Sequence, residues 1–296
     1  MNSTIQVVPA QTGAPVVELA RPLVGGSHER ATAGTAGLDS SDLERSERIG
    51  QLRSGELGSV HSWELVTSVD GPGTRLTAFL AGCPLRCLYC HNPDTMQMRR
   101  GEAVTADELV ARVLRYRGVF AATGGGLTLS GGEPLMQPAF VGRVLRAAKE
   151  HGIHTALDTS GFLGAACTGE MLEDVDLVLL DVKSGDPDTY QRVTGQPLAP
   201  TLEFGRRLAE AGTEIWVRFV LVPGLTDDPD NIAKVADYAA SLATVTRVEV
   251  LPFHQMGRDK WESLGMRYEL DDVAAPSVAQ VEAARDIFRS RGLQVF

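Results

Sequence analysis

The fold prediction depends on a cysteine-rich segment that follows the first buried apolar run. It reads Gly82-Cys83-Pro84-Leu85-Arg86-Cys87-Leu88-Tyr89-Cys90-His91-Asn92. Its cysteines are spaced C-x3-C-x2-C and are three of the four cysteines in the chain. Three thiolates this close in sequence can bind one metal centre, and they leave an iron–sulfur cluster one ligand short of the usual four-cysteine set. An open ligand position is typical of a catalytic metal site, as the corresponding rule for zinc states.

The residues alone leave other interpretations of these cysteines open. A small zinc site or buried thiols would also bring them together, although zinc would require a fourth ligand. The remaining cysteine, Cys167, lies far along the chain among Ala and Gly residues, where we expect it to be a packing residue. Cysteines at metal-binding spacing, with one left over, do not suggest a disulfide framework, so a reducing cytoplasm is the expected compartment.

Length and charge restrict the class of protein. The chain of 296 residues is long enough for one large α/β domain or two small ones. Its net charge of −10 argues against a nucleic-acid partner and against an anionic membrane surface, because little would neutralise phosphate groups. No apolar run approaches membrane-spanning length, and the N-terminus lacks the pattern of a signal peptide. We expect a cytoplasmic protein that works as a monomer without membrane contact.

The first part of the chain differs from the rest in composition. Residues 1–55 are rich in Gly, Ala, Ser, Thr and charge, and the first aromatic residue is Trp63. Such a segment buries too little apolar surface to offset the entropy lost on ordering. The composition therefore predicts a flexible N-terminal tail over residues 1–55, with a short helix over residues 40–51, followed by one core domain over residues 56–296.

The core domain shows alternating strand and helix patterns. After a first strand over residues 60–68, strands are predicted over residues 75–81, 126–130, 154–158, 176–182, 214–222 and 247–251. Helices are predicted over residues 105–117, 138–150, 201–211, 228–242 and 277–291. This alternation indicates parallel strands joined by crossover helices. Six such units from residue 75 onward are fewer than the eight of a complete barrel.

Chemically distinctive residues follow these strands. They are Gly131-Gly132-Glu133-Pro134, Asp158-Thr159, Asp181-Val182-Lys183, Arg218 and His254. Because the carboxyl ends of parallel strands meet at one edge, where such folds bind ligands, we expect these residues to share one site with the cysteines. Glu133 would offer its carboxylate to a ligand amine.

Each of these residues also has a structural interpretation. The two glycines could simply form a turn, and the Asp and Lys residues could form a surface ion pair. A buried Arg218 needs a partner, which is either a ligand carboxylate or one of Asp158 and Asp181. His254 could be structural, and Tyr89 could stack on an adenine or pack in the core.

Together, these motifs resemble the radical S-adenosylmethionine (SAM) superfamily, which has the same cysteine spacing with an aromatic residue before the last cysteine. Further stretches narrow the resemblance to the activating enzymes of glycyl-radical enzymes. These stretches are residues 61–64, 70–75, 87–92, 124–126, 222–224 and 251–257, and Lys260-Trp261. The match extends from about residue 58 to the C-terminus. No cysteine lies between Cys90 and Gly131, where several such families carry an inserted ferredoxin-like domain, which favours the type that acts on pyruvate formate-lyase.

The resemblance implies a partial (β/α)6 barrel with a [4Fe–4S] cluster on Cys83, Cys87 and Cys90. The amino and carboxylate groups of SAM would occupy the open iron. One electron, usually from reduced flavodoxin in this family, leads to cleavage of SAM into methionine and a 5′-deoxyadenosyl radical. The radical then removes hydrogen from a backbone glycine in the radical loop of formate acetyltransferase (pyruvate formate-lyase). The cofactors carry the difficult chemistry, and the protein supplies binding, orientation and exclusion of water.

The resemblance also implies individual roles in binding SAM. Gly132 and Glu133 would contact its amino side, and Asp181, Val182 and Lys183 would line its ribose and methionine side. The adenosyl part would be approached by Tyr89, Cys90, His91 and His254. A monovalent cation near the SAM carboxylate would be bound by Asp158, Thr159, Asp181 and the backbone of Leu179.

One position departs from the family pattern. The pattern D-x-K-x6-H-x3-T-G appears here as Asp181, Lys183, Tyr190, Thr194 and Gly195, with Tyr in place of His. A role of this position in partner docking is therefore not carried over. Two alternatives remain open at this point: a radical SAM enzyme that acts on another glycyl-radical enzyme or a small molecule, and a non-catalytic zinc or iron–sulfur module.

Overall fold

The computed structural model describes residues 45–296, with side chains from residue 47 onward. Most of the predicted tail over residues 1–55, and the start of the predicted helix over residues 40–51, lie outside the described residues. The strands are β1 (Leu57–Thr67), β2 (Thr74–Leu80), β3 (Glu102–Thr105), β4 (Gly126–Gly131), β5 (His154–Thr159), β6 (Leu177–Asp181), β7 (Glu214–Leu221) and β8 (Val245–Pro252).

Ten α-helices connect and flank these strands in the described part of the chain. They are α1 (Arg45–Ser54), α2 (Ala106–Leu114), α3 (Arg117–Thr123), α4 (Pro138–Glu150), α5 (Gly169–Glu173), α6 (Pro187–Thr194), α7 (Ala199–Glu210), α8 (Pro229–Ser241), α9 (Arg258–Ser263) and α10 (Val278–Arg289). None of the helices within residues 45–296 is long and apolar enough to cross a membrane.

All eight strands form one sheet, in the order β3-β1-β2-β4-β5-β6-β7-β8. Six strands run parallel to one another, namely β2, β4, β5, β6, β7 and β8. This confirms the six predicted units. The sheet does not close on itself within the described residues, so it is a partial barrel. β1 runs antiparallel to β2 and carries the short β3 on its other edge, an extension that the sequence did not predict in full.

Sequence patterns explain why these elements form where they do. The residues of β7 alternate between buried and half-buried, as expected for a strand with two different faces. α4 begins with Pro138 at its first turn and buries one apolar stripe, including Phe140 and Leu145. α2 begins with a capping box, in which the Thr105 side chain accepts from the Glu108 amide. Cys167 is fully buried in the main hydrophobic core, as predicted.

A second, smaller hydrophobic cluster lies beside the cysteine segment. We call it the loop cluster. Its buried members are Tyr89, Met96, Val193, Val222, Phe253, Trp261, Tyr268 and Leu270. It joins the cysteine segment to α6, to the end of β7 and to α9, and it therefore gives an otherwise irregular loop an apolar support.

Candidate active site

The carboxyl ends of the parallel strands enclose a cavity of about 530 Å³. Most of the residues singled out in the sequence line it together. They are Cys83, Cys87, Tyr89, Cys90, His91, Gly132, Asp158, Thr159, Asp181, Lys183, Arg218 and His254. The strand-end argument thus identified one common site from several separate loops. Glu133 and Val182 do not line the cavity, and neither do Pro134 and Leu179.

The cysteine segment is held mainly through its backbone. Gly82 N donates to Thr95 O at 2.7 Å, and Gly82 O accepts from Glu133 N at 2.8 Å. On the two sides of Cys87, Arg86 N donates to Thr194 O at 2.7 Å and Leu88 N donates to Val193 O at 3.0 Å. An irregular loop cannot satisfy its own peptide groups, so these neighbours fix its path.

The three thiols of the segment are free and share the cavity wall. Burial raises the pKa of Cys83 and Cys90, and it raises that of Cys87 to about 12 against the opposing charge of Lys183. These groups therefore carry protons at neutral pH unless a metal displaces them, which couples metal binding to proton release. Within residues 45–296, no three His, Cys, Asp or Glu side chains converge on one metal ion. Three soft sulfur donors spread along one wall fit an iron–sulfur cluster, in which each thiolate binds a different iron.

The far end of the segment is anchored by α9 and by the strand end that precedes it. Trp261 Nε1 donates to Cys90 O at 2.8 Å, and Lys260 Nζ donates to Asn92 Oδ1 at 2.8 Å. The rings of His91 and His254 stack with their centroids 4.2 Å apart. Burial lowers the pKa of His91 to about 4, so this ring is neutral at neutral pH. The two rings form a flat surface in the cavity lining.

A buried ionic network forms one wall of the cavity. The Arg218 guanidinium donates to Asp158, and to Asp181 Oδ1 at 3.0 Å, and it lies 3.7 Å from Asp70 Oδ1. Lys183 Nζ donates to Asp181 Oδ2 at 2.7 Å. The sequence left either a ligand carboxylate or Asp158 and Asp181 as partners of Arg218, and in the structure Arg218 contacts both Asp158 and Asp181. Because only 14% and 18% of the Lys183 and Asp181 side chains are exposed, their pair is not a surface ion pair.

The network shifts the pKa values of Asp158 and Asp181 in opposite directions. Burial raises the pKa of Asp158 to about 6, although Arg218 opposes this. Burial acts in the same direction on Asp181, but Arg218 and Lys183 outweigh it and hold the pKa of Asp181 below its usual value. Burial would lower the pKa of Lys183, yet Asp181 raises it well above the usual value. Lys183 therefore remains charged in the cavity wall at neutral pH.

Glu133 lies differently from the prediction that it offers its carboxylate to a ligand amine. The carboxylate is buried in the wall and accepts from Thr159 Oγ1 at 2.6 Å, from Ser160 N at 3.0 Å and from Ser160 Oγ at 2.5 Å. It also accepts from Leu135 N at 3.2 Å. These donors join the glycine turn after β4 to the turn after β5, so Glu133 organises the wall rather than facing the cavity.

Two other predicted residues have protein partners as well. Val182 is fully buried, and its amide donates to Arg218 O at 3.0 Å. Thr159, assigned to a cation, gives its hydroxyl proton to Glu133. Asp158, assigned to the same cation, accepts from Ser130 Oγ at 2.6 Å as well as from Arg218. The cation site remains a prediction.

Sequence reasoning missed several residues of the cavity. Asp70, Ser130 and Ser160 add polar groups, and Val69, Leu85, Val220 and Leu251 add apolar surface. Asp70 belongs to the turn between β1 and β2, which comes from the opposite end of β2 and folds into the barrel. Its flanking sequence, Gly71-Pro72-Gly73, was a signal for close approach of the backbone, and Gly71 and Gly73 both have positive φ values, 119° and 64°.

Comparison with known proteins agrees with this fold and cavity. Residues 77–236 match the family model of the radical SAM superfamily, so the chain is a radical SAM protein. Pyruvate formate-lyase-activating enzyme of Staphylococcus aureus (strain USA300) is 45% identical over 238 residues, which cover 77% of this chain and 93% of that protein. The chain belongs to this family of activating enzymes. As a member, it uses a [4Fe–4S] cluster and SAM as cofactors.

Solved structures show the same fold at low identity. A radical SAM methyltransferase from Sphaerobacter thermophilus is 19% identical, with a TM-score of 0.54 over 86% of this chain and 81% of that one. SuiB from Streptococcus suis, bound to its precursor peptide SuiA, is 14% identical, with a TM-score of 0.57 over 93% of this chain and 57% of that one. At these identities the likeness concerns the fold alone.

Proposed function

We propose that this chain activates formate acetyltransferase (pyruvate formate-lyase) by creating a glycyl radical in its radical loop. The observation that carries the proposal is the 45% identity to the activating enzyme of Staphylococcus aureus, which extends over 93% of that protein. The cavity supports it, because three cysteines, a charged wall and a flat histidine pair share one opening. When bound, the cluster and SAM supply one-electron chemistry that generates a 5′-deoxyadenosyl radical.

The chain's own residues would bind and orient these cofactors. Cys83, Cys87 and Cys90 would hold the cluster by three of its irons. Their half-buried positions in a loop anchored by backbone hydrogen bonds support this role, because the loop holds the sulfur atoms in the cavity wall. Gly132 would contribute cavity lining, and its missing side chain lets the turn after β4 approach the backbone of Gly82 at the start of the cysteine segment.

The charged wall would orient the polar end of SAM. Lys183 keeps its charge and lies 5.8 Å above the Tyr89 ring, so both groups face the same region of the cavity. Arg218 and Asp181 hold Lys183 in place through the shared carboxylate. The stacked rings of His91 and His254 would receive the adenine, because flat rings stack well on such surfaces.

The rim of the cavity would limit access of water. Val69, Leu85, Val220 and Leu251 are apolar residues in its lining. A reactive carbon radical needs a site from which competing reactions are excluded. No side chain is required as a general base, since hydrogen-atom transfer leaves no proton to accept.

Several finer points belong to the same proposal. The electron donor would be a reduced flavodoxin, as is usual in this family. The enzyme would be a monomer in the cytoplasm, a reducing compartment that protects cluster cysteines from oxidation. The core domain would span residues 56–296, which contain the whole superfamily match. A monovalent cation would bind near Asp158, Thr159 and Asp181.

Anaerobic reconstitution with iron and sulfide tests the proposal. The protein would then be reduced in the presence of SAM, with and without formate acetyltransferase. We expect 5′-deoxyadenosine in the products and a glycyl-radical signal in electron paramagnetic resonance (EPR) spectra that depends on the partner. Cys87→Ala should lose bound iron and SAM cleavage, whereas the matched Cys167→Ala should keep both because Cys167 lies in the core.

The outcomes separate the remaining alternatives. No SAM cleavage under reducing conditions would leave a non-catalytic metal-binding module. Cleavage without a partner-dependent glycyl radical would contradict the assigned partner and favour a different glycyl-radical enzyme or a small-molecule substrate.

A further inference from the structure

Tyr190 stands where the family pattern has histidine, and its position in the fold is unexpected. It lies in α6 with no exposed surface, so it cannot touch a partner protein. Its hydroxyl is 2.8 Å from Thr201 Oγ1 on α7. The ring is close enough to Cys87, Lys183 and Glu133 for their charges to affect its titration. Through Thr201, Tyr190 is linked to Ser160, which lines the cavity.

The direction of the hydrogen bonds from Tyr190 is fixed by its neighbours. The Thr201 hydroxyl donates to Ser160 O at 2.8 Å, and a carbonyl can only accept. The single proton of Thr201 is thus used, and the Tyr190 hydroxyl must donate to Thr201 Oγ1. Burial raises the pKa of Tyr190 to about 12, so the phenol keeps this proton at physiological pH.

The chain of hydrogen bonds continues through the cavity wall. Beyond the Ser160 carbonyl, the amide and hydroxyl of Ser160 both donate to the Glu133 carboxylate. The amide of Glu133 donates to Gly82 O, next to Cys83. One continuous set of buried contacts therefore runs from α6 to the start of the cysteine segment.

The C-terminal end of α6 reaches the same segment by a different route. Thr194 O and Val193 O accept from the amides of Arg86 and Leu88, which flank Cys87. Within α6, the Thr194 hydroxyl donates to Tyr190 O at 2.8 Å and ties this end of the helix to the tyrosine. α6 thus contacts the backbone around Cys87 directly and the Glu133 wall through Tyr190.

We propose that Tyr190 is a positioning residue that fixes α6, and with it the backbone around Cys87, to the Glu133–Ser160 wall. The inference rests on the proposed function only where it concerns SAM binding. Loss of the phenol hydroxyl should leave the cavity residues in place but loosen the two walls relative to each other. Because the contact is one buried hydrogen bond, its loss should change local hydrogen-exchange rates and the affinity for SAM about three- to tenfold.

Hydrogen exchange of the cofactor-free protein is the primary test. Tyr190→Phe removes only the hydroxyl, and the matched control is Tyr238→Phe, whose hydroxyl donates to Leu202 O on the same helix α7 at 2.9 Å. We expect about three- to tenfold faster exchange over residues 86–88 and 160–162 in Tyr190→Phe only. Unchanged exchange in these two segments, or equal change in both variants, would overturn the proposal.

The second test measures SAM binding to the reconstituted protein by equilibrium dialysis, together with the EPR spectrum of the reduced cluster. Tyr190→Phe and Thr201→Val should weaken SAM binding about three- to tenfold and alter the spectrum with SAM present, whereas Thr201→Ser and Tyr238→Phe should not. Wild-type affinity in Thr201→Val would refute the role of this chain of contacts in SAM binding. Failure of the wild-type protein to bind SAM would contradict the proposed function instead, and the exchange test would still decide the role of Tyr190.

Discussion

Gly132→Ala is the substitution whose effect follows most directly from the geometry of the site. Gly132 lies where the turn after β4 meets the start of the cysteine segment. A Cβ atom at this position would lie 2.3 Å from Gly82 O, 2.8 Å from Gly82 C and 3.1 Å from Thr95 O. Side-chain Cβ atoms do not approach backbone atoms this closely, so one of the two loops must move.

The size of the effect can be worked from the contacts that such a movement breaks. Gly132 N donates to Leu80 O and Glu133 N donates to Gly82 O, each at 2.8 Å. Loss of two backbone hydrogen bonds would cost about 1 to 3 kcal/mol. Overpacking in a rigid site would cost about 1 to 3 kcal/mol more. Alanine also lowers the conformational entropy of the unfolded chain, which offsets about 0.4 to 1 kcal/mol of this cost. We therefore expect a net loss of about 1 to 6 kcal/mol.

Urea unfolding of the cofactor-free protein measures this loss, and iron content after reconstitution measures its effect on the cluster site. Gly118→Ala is the matched control, because Gly118 is an exposed residue of α3 with no atom within 4 Å of an added Cβ. The control should be neutral or stabilising by up to about 1 kcal/mol. Wild-type stability and full iron content in Gly132→Ala would refute the idea that these two loops are in fixed contact.

Three further substitutions test other contacts of the site. Asn231→Ala should destabilise the protein by about 2 to 4 kcal/mol in urea unfolding, because the Asn231 side chain accepts from three donors in residues 184–186; an unchanged midpoint would contradict this. Trp261→Phe removes the donor to Cys90 O and should alter the EPR spectrum of the cluster, at a cost of about 1 kcal/mol in stability; an unaltered spectrum would count against a role in holding the loop. Lys183→Ala should leave the iron content unchanged but weaken SAM binding about tenfold or more, measured by equilibrium dialysis, and intact affinity would refute its proposed role.

The main elements were predictable because the sequence marks their ends. The predicted helix over residues 138–150 coincides with α4, which begins at a proline and is followed by a glycine. The strand predicted over residues 126–130 differs by one residue from β4. Buried parallel strands appear as short apolar runs between turn residues, so their number and order could be read directly.

Elements that depend on tertiary contacts were not predictable. β3 has only four residues and forms because the exposed edge of β1 pairs with it. α6 is eight residues long, and its periodic pattern is too short to stand out, although Asp186 as N-cap and Pro187 at the first turn were signals of its start. This omission mattered, because α6 supports the backbone around Cys87.

The residues of the cavity were easier to predict than the directions of their side chains. Parallel strands end at one edge, so topology alone brings Asp158, Asp181 and His254 near the cysteines. The direction of Glu133 depends instead on four hydrogen-bond donors, two of them hydroxyl groups of a neighbouring turn. Asp70 enters from the opposite end of β2 and was missed because no local pattern shows how far a turn folds inward.

The charges of the cavity give a physical reason for the predicted cation. Its lining contains three carboxylates, of Asp70, Asp158 and Asp181, against the two cationic groups of Lys183 and Arg218. With all five ionised, these side chains carry one net negative charge.

SAM brings one net positive charge, and an oxidised [4Fe–4S] core with three thiolates brings one net negative charge. The filled site is therefore short of one positive charge. An uncompensated buried charge is costly. Burial raises the pKa of Asp158 to about 6, whereas Arg218 and Lys183 hold that of Asp181 below its usual value, so the charge of Asp158 is less well balanced than that of Asp181. A monovalent cation bound by Asp158, and shared with the better balanced Asp181, would supply the missing charge.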